Sequence, residues 1–199
     1  MAKGRWKLTG AGAALSSLKR RIGAMHSLWR EAGDSQSLDH VNHFERDGVL
    51  PIAFSMNHCV RIEDQTVQQL FNASPPLWVA GSWAEKVGVT VDAAGKEQTV
   101  EEMQILRFGD YQAFLRYMSE VFDATETWLD SLSPADLETI LFGGAKPDVF
   151  SKTYSARVVG DGPYTLLDGI ECWIFQHGIR HLGEMEHARA LVGLGGLTS

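Results

Sequence analysis

Two histidines on one predicted helix, His177 and His181, carry the first chemical signal in this chain. At about 100° per residue, positions four apart stand roughly 40° from each other around the helix axis, so both imidazoles can converge on one point. Neutral imidazole is a good ligand for a divalent first-row metal, and a rigid helix holds two of them at fixed spacing. The stripe they share also holds Ile170, Trp173, Glu184, Ala188 and Leu191, which the periodicity predicts to face inward. Burying two unpaired imidazoles there would cost stability. Two readings answer that cost: a bound cation, or hydrogen bonds to neighbouring groups.

A cation needs a third protein ligand. His58, in Phe54-Ser-Met-Asn-His58-Cys59, is the best-placed candidate, near the apolar side of an earlier helix. A surface position on that helix is the alternative. Glu184 lies seven residues beyond His177 and returns to the same face after nearly two turns. An inward glutamate there can hydrogen-bond a ligand histidine from behind, act on a bound water, or coordinate directly. His187 falls about 120° off the stripe and reads as exposed. His40 and His43 lie in a polar connection and read as solvated, while His26 reads as a core-edge residue. Cys59 and Cys172 read as small buried side chains rather than nucleophiles.

Helices must position these groups. Leu15, Leu18, Ile22, Met25 and Trp29 recur at helical spacing and predict a first helix over 11–32, ended near Gly33. Asp34 to Gly48 reads as a connection. Pro51 suits the first turn of a second helix over 50–71, with Phe54, Cys59, Ile62, Thr66 and Leu70 on its inner side. Asn72-Ala-Ser-Pro-Pro ends it, because a residue before proline resists the helical region. Residues 73–104 form a long connection, with Thr99 as the cap of a short helix. The third helix, 111–132, holds an aromatic-rich stripe for six turns. Ser133-Pro134-Ala-Asp136 opens a short helix that Gly143 and Gly144 stop. Residues 145–163 read as loop, with extended structure around Tyr154 to Val159. Thr165 and Asp168 start the fourth helix, which runs to about Val192. Four long amphipathic helices with little strand signal predict an all-α four-helix bundle, one domain over 1–199.

Of 199 residues, 44% are apolar and 22% charged, an ordinary globular composition, and two cysteines exclude a disulfide scaffold. The net charge of −7 argues against sequence-independent nucleic-acid binding. No apolar run approaches 18 residues, so no transmembrane helix is expected. The start of the chain lacks a convincing export signal, and a cytoplasmic protein is expected. Residues 1–30 carry seven basic side chains and no acid, leaving the remainder at −14. That pattern reads as a basic helix end lying against an acidic body; a nucleic-acid-binding arm is the alternative.

The segment His177-Gly-Ile-Arg-His181-Leu-Gly183-Glu184-Met-Glu-His-Ala-Arg189-Ala-Leu191-Val-Gly193-Leu resembles the last helix of the DinB/YfiT-like superfamily. Asn57-His58 resembles the position of that family's first histidine. The third helix leading into Leu129-Asp-Ser-Leu-Ser-Pro-Ala-Asp136-Leu is similar to its third helix and following turn. The resemblance covers roughly 15–193. It implies an up-down-down-up bundle with the long connection as crossover between the second and third helices. It also implies a three-histidine site of His58, His177 and His181 for a divalent metal (zinc, nickel or iron), and a homodimer. Characterised relatives include a mycothiol-dependent isomerase and thiol S-transferases.

Three protein ligands would leave coordination positions open for a water, a substrate or a low-molecular-weight thiol. Thiol-dependent S-transfer or isomerisation fits the resemblance best. Metal-dependent hydrolysis and a non-catalytic metal- or ligand-binding stress-response bundle are the alternatives. Glu184 is the catalytic candidate. A small-molecule substrate would enter past the crossover and the 145–163 loop, where Trp78, Trp83, Tyr154 and Tyr164 are candidate pocket walls.

Overall fold

A computed structural model describes residues 10–94, 99–143 and 153–197. The first apolar stripe lies on α1 (Ala11–Asp34), and Leu15, Leu18, Ile22, Met25 and Trp29 are all buried. Gly33 does not end this helix. It lies inside the last turn, where Tyr111 Oη donates to its carbonyl at 2.9 Å and an added Cβ would stand 2.7 Å from Leu115 Cδ2. The polar connection holds one short turn, α2 (Leu38–Val41), capped by Ser37 and His40. The second long helix is α3 (Ile52–Asp64), continued by a π-helical turn over Gln65–Phe71. Three short helices punctuate the crossover: α4 (Leu77–Ala80), α5 (Trp83–Val87) and α6 (Val100–Gln104). Thr99 caps the last of these as expected, and Glu102 completes a capping box with it.

The third long helix is α7 (Tyr111–Ser131), followed by a 3-10 turn at Pro134–Glu138. That turn ends well before Gly143, because a strand β1 (Ile140–Phe142) intervenes. Residues 154–159 are helical, not extended: Thr153 caps α8 (Tyr154–Val159) by accepting from the Ala156 amide. The extended partner is instead β2 (Tyr164–Thr165), antiparallel to β1 with Ile140 opposite Thr165 and Phe142 opposite Tyr164. The fourth long element starts as α9 (Leu166–Gly169), boxed by Thr165 and Asp168. It passes through a π-helical stretch over Ile170–Gln176 and continues as α10 (His177–Leu191). The remainder of the expected 145–163 loop, from 145 to 152, lies outside the described residues.

The four long helices form an all-α bundle with the up-down-down-up path. Tyr117 Oη meets Asp64 and Tyr111 Oη approaches Met56 sulfur, so α3 and α7 run parallel and the crossover spans the bundle. Arg30 pairs with Asp123 and Lys19 with Asp130, so α1 and α7 run antiparallel. Arg21 meets Glu171 and Arg189 reaches Ala32 and Ser35, so α1 runs parallel to the last helix. Lys19, Arg21 and Arg30 of α1 thus pair with the acidic body, while Arg20 donates to Ser16 on its own helix. Trp78 and Trp83 do not line an entrance; both are buried against Tyr117 and anchor the crossover. Tyr164 is buried beside Trp173. No helix among the described residues is long and apolar enough to cross a membrane.

Each π-helical stretch rotates the residues beyond it. A π turn takes up more residues than an α turn, so the apolar face drifts around the axis. Leu70, expected inside and lying within the first of these stretches, is exposed. On α10 the buried line is Gly178, His181, Leu182, Met185 and Arg189, and Leu191 turns out to solvent. Gly178 lets Met25 of α1 pack closely against the last helix; an added Cβ would force the Met25 thioether to move.

His26 is not at the core edge but fully buried, stacked 4.0 Å over Phe122. Its Nδ1 lies 2.8 Å from Glu126 and its Nε2 3.0 Å from the buried Glu63. The second contact is off the N–H direction, an ion pair rather than an aligned hydrogen bond. A ring between two carboxylates needs both nitrogens protonated and therefore carries charge. Burial alone would push its pKa down; Glu63 and Glu126 outweigh this and raise it from 6.5 to about 9. Because the folded value is raised, this charge stabilises the fold fully below 6.5 and the contribution is lost as pH rises through about 9. Melting temperatures should therefore fall as pH rises from about 6.5 to about 9 and level off above that. Glu63→Ala should cost about 3–5 kcal/mol at neutral pH and flatten that alkaline decline. A variant with an unchanged alkaline slope would show that the ring is not the group responsible.

Candidate metal centre

His58 sits in the second turn of α3, and the crossover fixes its ring. The Ala94 carbonyl accepts from His58 Nδ1, and the Ala93 carbonyl accepts from Asn57 Nδ2 at 3.1 Å. Asp92 holds the same segment by accepting from Arg61 at 2.7 Å and from Trp78 Nε1 at 3.0 Å. A carbonyl can only accept, so His58 carries its proton on Nδ1 and presents a bare Nε2 to the bundle. His181 is held in the same way from the opposite helix. Its Nδ1 lies 2.6 Å from Glu184 Oε2, which places the proton on Nδ1 and the lone pair on Nε2.

His177 opens α10 one turn before His181. Its Nε2 lies 3.2 Å from His58 Nε2 and 3.2 Å from His181 Nε2. One ligand atom from each of the three residues falls within 4.8 Å of the others. Two nitrogens that share one ion at about 2.0–2.1 Å stand roughly 3.0–3.4 Å apart, across tetrahedral and octahedral arrangements. The donor set and its spacing therefore fit a divalent cation. His58 and His181 are buried and His177 half-buried, which leaves the cluster open on one side. Burial first of all, then the nearby Arg180 charge, brings the pKa of His181 from 6.5 to about 4. Burial likewise brings His58 to about 4 against the pull of the Ala94 carbonyl. Both rings are thus neutral, the ligating form, at physiological pH.

Glu184 does not point inward: its side chain is 51% exposed, at the rim of the cluster. The π-helical stretch before His177 turns the stripe so that position 184 falls at the edge. His187 is exposed, and the two loop histidines are engaged elsewhere, His40 in the Ser37 cap and His43 with Glu45. Cys59 and Cys172 are both buried free thiols with pKa values raised by burial. Arg180 was missed by sequence reasoning. Its Nη2 lies 3.1 Å from His181 Nε2, and its place between the two histidines was the available signal. The Ala94 carbonyl left no signal, because every residue carries one.

The sequence profile of the DinB superfamily matches residues 17–185. This chain belongs to the DinB superfamily. Among solved structures, this DinB chain is similar to a conserved protein from Enterococcus faecalis, with a TM-score of 0.71 and 18% identity. The match covers 89% of this chain and 96% of that one, and it speaks to the fold. No curated protein matches the sequence.

Glu184 orients His181 from outside the cluster, and it is exposed enough to be removed without disturbing the core. Glu184→Ala should weaken zinc or nickel affinity by about 10–100-fold, read by competition with a chromophoric chelator. Unchanged affinity in a folded variant would remove the orienting role.

Proposed function

We propose that His58, His177 and His181 ligate one divalent metal and that the DinB chain is a thiol-dependent enzyme of the S-transferase or isomerase type. The observation that carries the metal reading is the pair of 3.2 Å separations between three Nε2 atoms from two helices. Zinc, nickel and iron all suit an all-imidazole donor set. Such a cation, when bound, lowers the pKa of a coordinated thiol or water and so supplies a nucleophile at neutral pH. What supports a thiol over water is the family resemblance, in which characterised relatives use low-molecular-weight thiols.

The chain's own residues then have distinct tasks. His58 and His181 keep their protons on Nδ1, tied to Ala94 and Glu184, so that their Nε2 lone pairs face the cluster; ligation by His181 would replace its contact with Arg180 Nη2. Glu184 Oε2 is committed to His181, while Oε1, 3.9 Å from Arg180 Nε, faces the rim. We assign Oε1 to take the proton of the incoming thiol. In S-transfer the sulfur then bonds to an electrophilic carbon and the leaving group departs with its electron pair; in isomerisation the thiol is released again. The buried thiols of Cys59 and Cys172 take no part.

Protein purified without added metal and without a histidine tag should hold close to one equivalent of a divalent metal. His177→Ala should lose it while keeping its helical content, since that ring is only half-buried. Retained metal in this variant would overturn the assignment. A panel of low-molecular-weight thiols with an electrophilic acceptor tests the reaction. Turnover with at least one thiol, lost in His177→Ala, is expected. Ester or amide hydrolysis with no thiol dependence would replace the reading by a hydrolase, and a metal-loaded protein inert to both would be a binding protein.

A further inference from the structure

A groove of about 350 Å³ opens beside the histidine cluster, between α1, α8, the π-helical stretch and the start of α10. Its walls are apolar where α8 and the last helix face each other: Tyr154, Val158, Phe175 and Ile179. Three of these, Tyr154, Val158 and Ile179, are large apolar side chains left exposed at its rim. Its polar part is cationic. Two guanidinium groups, Arg21 and Arg180, line it against one carboxylate, Glu171.

Neither guanidinium is used up by its neighbours. Arg21 lies 4.6 Å over the Phe175 ring and gives Nη2 to Glu171 at 2.9 Å. Among the described residues that is its only hydrogen bond to a partner. Arg180 approaches Glu184 no closer than 3.9 Å, beyond hydrogen-bond reach, and gives Nη2 to His181 Nε2 at 3.1 Å. Arg180 therefore touches the histidine cluster and the groove at once. Its charge beside a cluster that fits a cation places two positive centres side by side, an arrangement that an anion between them relieves. A planar fork of donors matches a carboxylate, and the apolar walls match a hydrocarbon body.

We propose that this groove binds a small organic carboxylate, its acid group on Arg180 and Arg21 and its apolar body against Phe175, Val158 and Ile179. The proposal names a substrate class for the metal centre. It rests on that reading only for the position of the acid beside His181; the groove itself does not require the metal.

The test uses the full chain, metal-loaded and chelator-stripped, titrated with phenylacetate and with the uncharged phenylacetamide by calorimetry. Phenylacetate should bind, and phenylacetamide should bind at least about tenfold more weakly, the loss of one charge-assisted contact. Arg180→Ala and Arg21→Ala should each weaken phenylacetate by about tenfold and leave the amide unchanged. Both side chains are substantially exposed, so the folds should survive. Ile179→Glu, at the exposed rim, should repel the acid but not the amide. Equal affinity for acid and amide, no binding of phenylacetate, or full affinity in both arginine variants overturns the proposal. Metal content measured on the same samples separates the two readings. Binding of phenylacetate by a protein that takes up no zinc or nickel when these are supplied keeps the groove and sinks the metal centre; a metal-loaded protein indifferent to the acid does the reverse.

Discussion

Three imidazole nitrogens from two antiparallel helices face one another inside this bundle, and their orientation is set from behind. The Ala94 carbonyl and the Glu184 carboxylate each accept a hydrogen bond from an Nδ1–H, and this turns the Nε2 lone pairs of His58 and His181 to the centre, where Arg180 Nη2 also reaches that of His181. Without those two acceptors each ring could flip or change tautomer, and the cluster would lose its donor geometry. The crossover exists in its observed form to deliver one of them. Asp92 and Ala93 bind it to α3, and Trp78 and Trp83 sink its short helices into the core. A long connection thus becomes part of the site it passes.

The bundle keeps two buried electrostatic centres of opposite design. At His26 the ring is charged, clasped between Glu63 and Glu126, with its pKa raised to about 9. At His58 and His181 the rings are neutral: burial outweighs the Ala94 carbonyl at His58 and acts together with the Arg180 charge at His181, bringing both to about 4. The difference lies in what faces each ring. A carboxylate on both sides compensates the cost of burying a cation; His58 has only the Ala94 carbonyl, and His181 has the Arg180 charge on one side against an exposed carboxylate on the other. The first arrangement ties α1, α3 and α7 together. The second leaves nitrogen lone pairs facing a space that a cation fits. Arg180 stands at the border between that space and the groove, and links the cluster to whatever lies outside it.

Much of the fold was legible in the residues. The stripes of α1 and α7 are regular, and other elements carry recognisable end signals: Asn72-Ala-Ser-Pro-Pro after the second long helix, Thr99 at α6, and Thr165 with Asp168 at α9. Periodicity fails where the helices depart from α geometry. Counting at about 100° per residue puts Leu70, Glu184 and Leu191 inside, but that rule does not hold across π-helical turns. The stretch 154–159, rich in β-branched residues, reads as extended, but the Thr153 cap and packing against the last helix make it helical. His26 reads as marginal because its partners, Glu63 and Glu126, lie 37 and 100 residues away in the chain.

The chain's local chemistry determined the four helices, their approximate ends, and the histidine pair four apart on the last of them. Those features depend on neighbours within a turn or two, where spacing alone fixes geometry. Tertiary structure decided the rest. It chose His58 as the third imidazole to meet the pair, recruited the Ala94 carbonyl to fix its proton, turned Glu184 to the rim, charged His26 and left two arginines in one groove. Each of those outcomes depends on atoms brought together across the fold, and helix packing and the π-helical turns set their positions, which no spacing within one helix encodes.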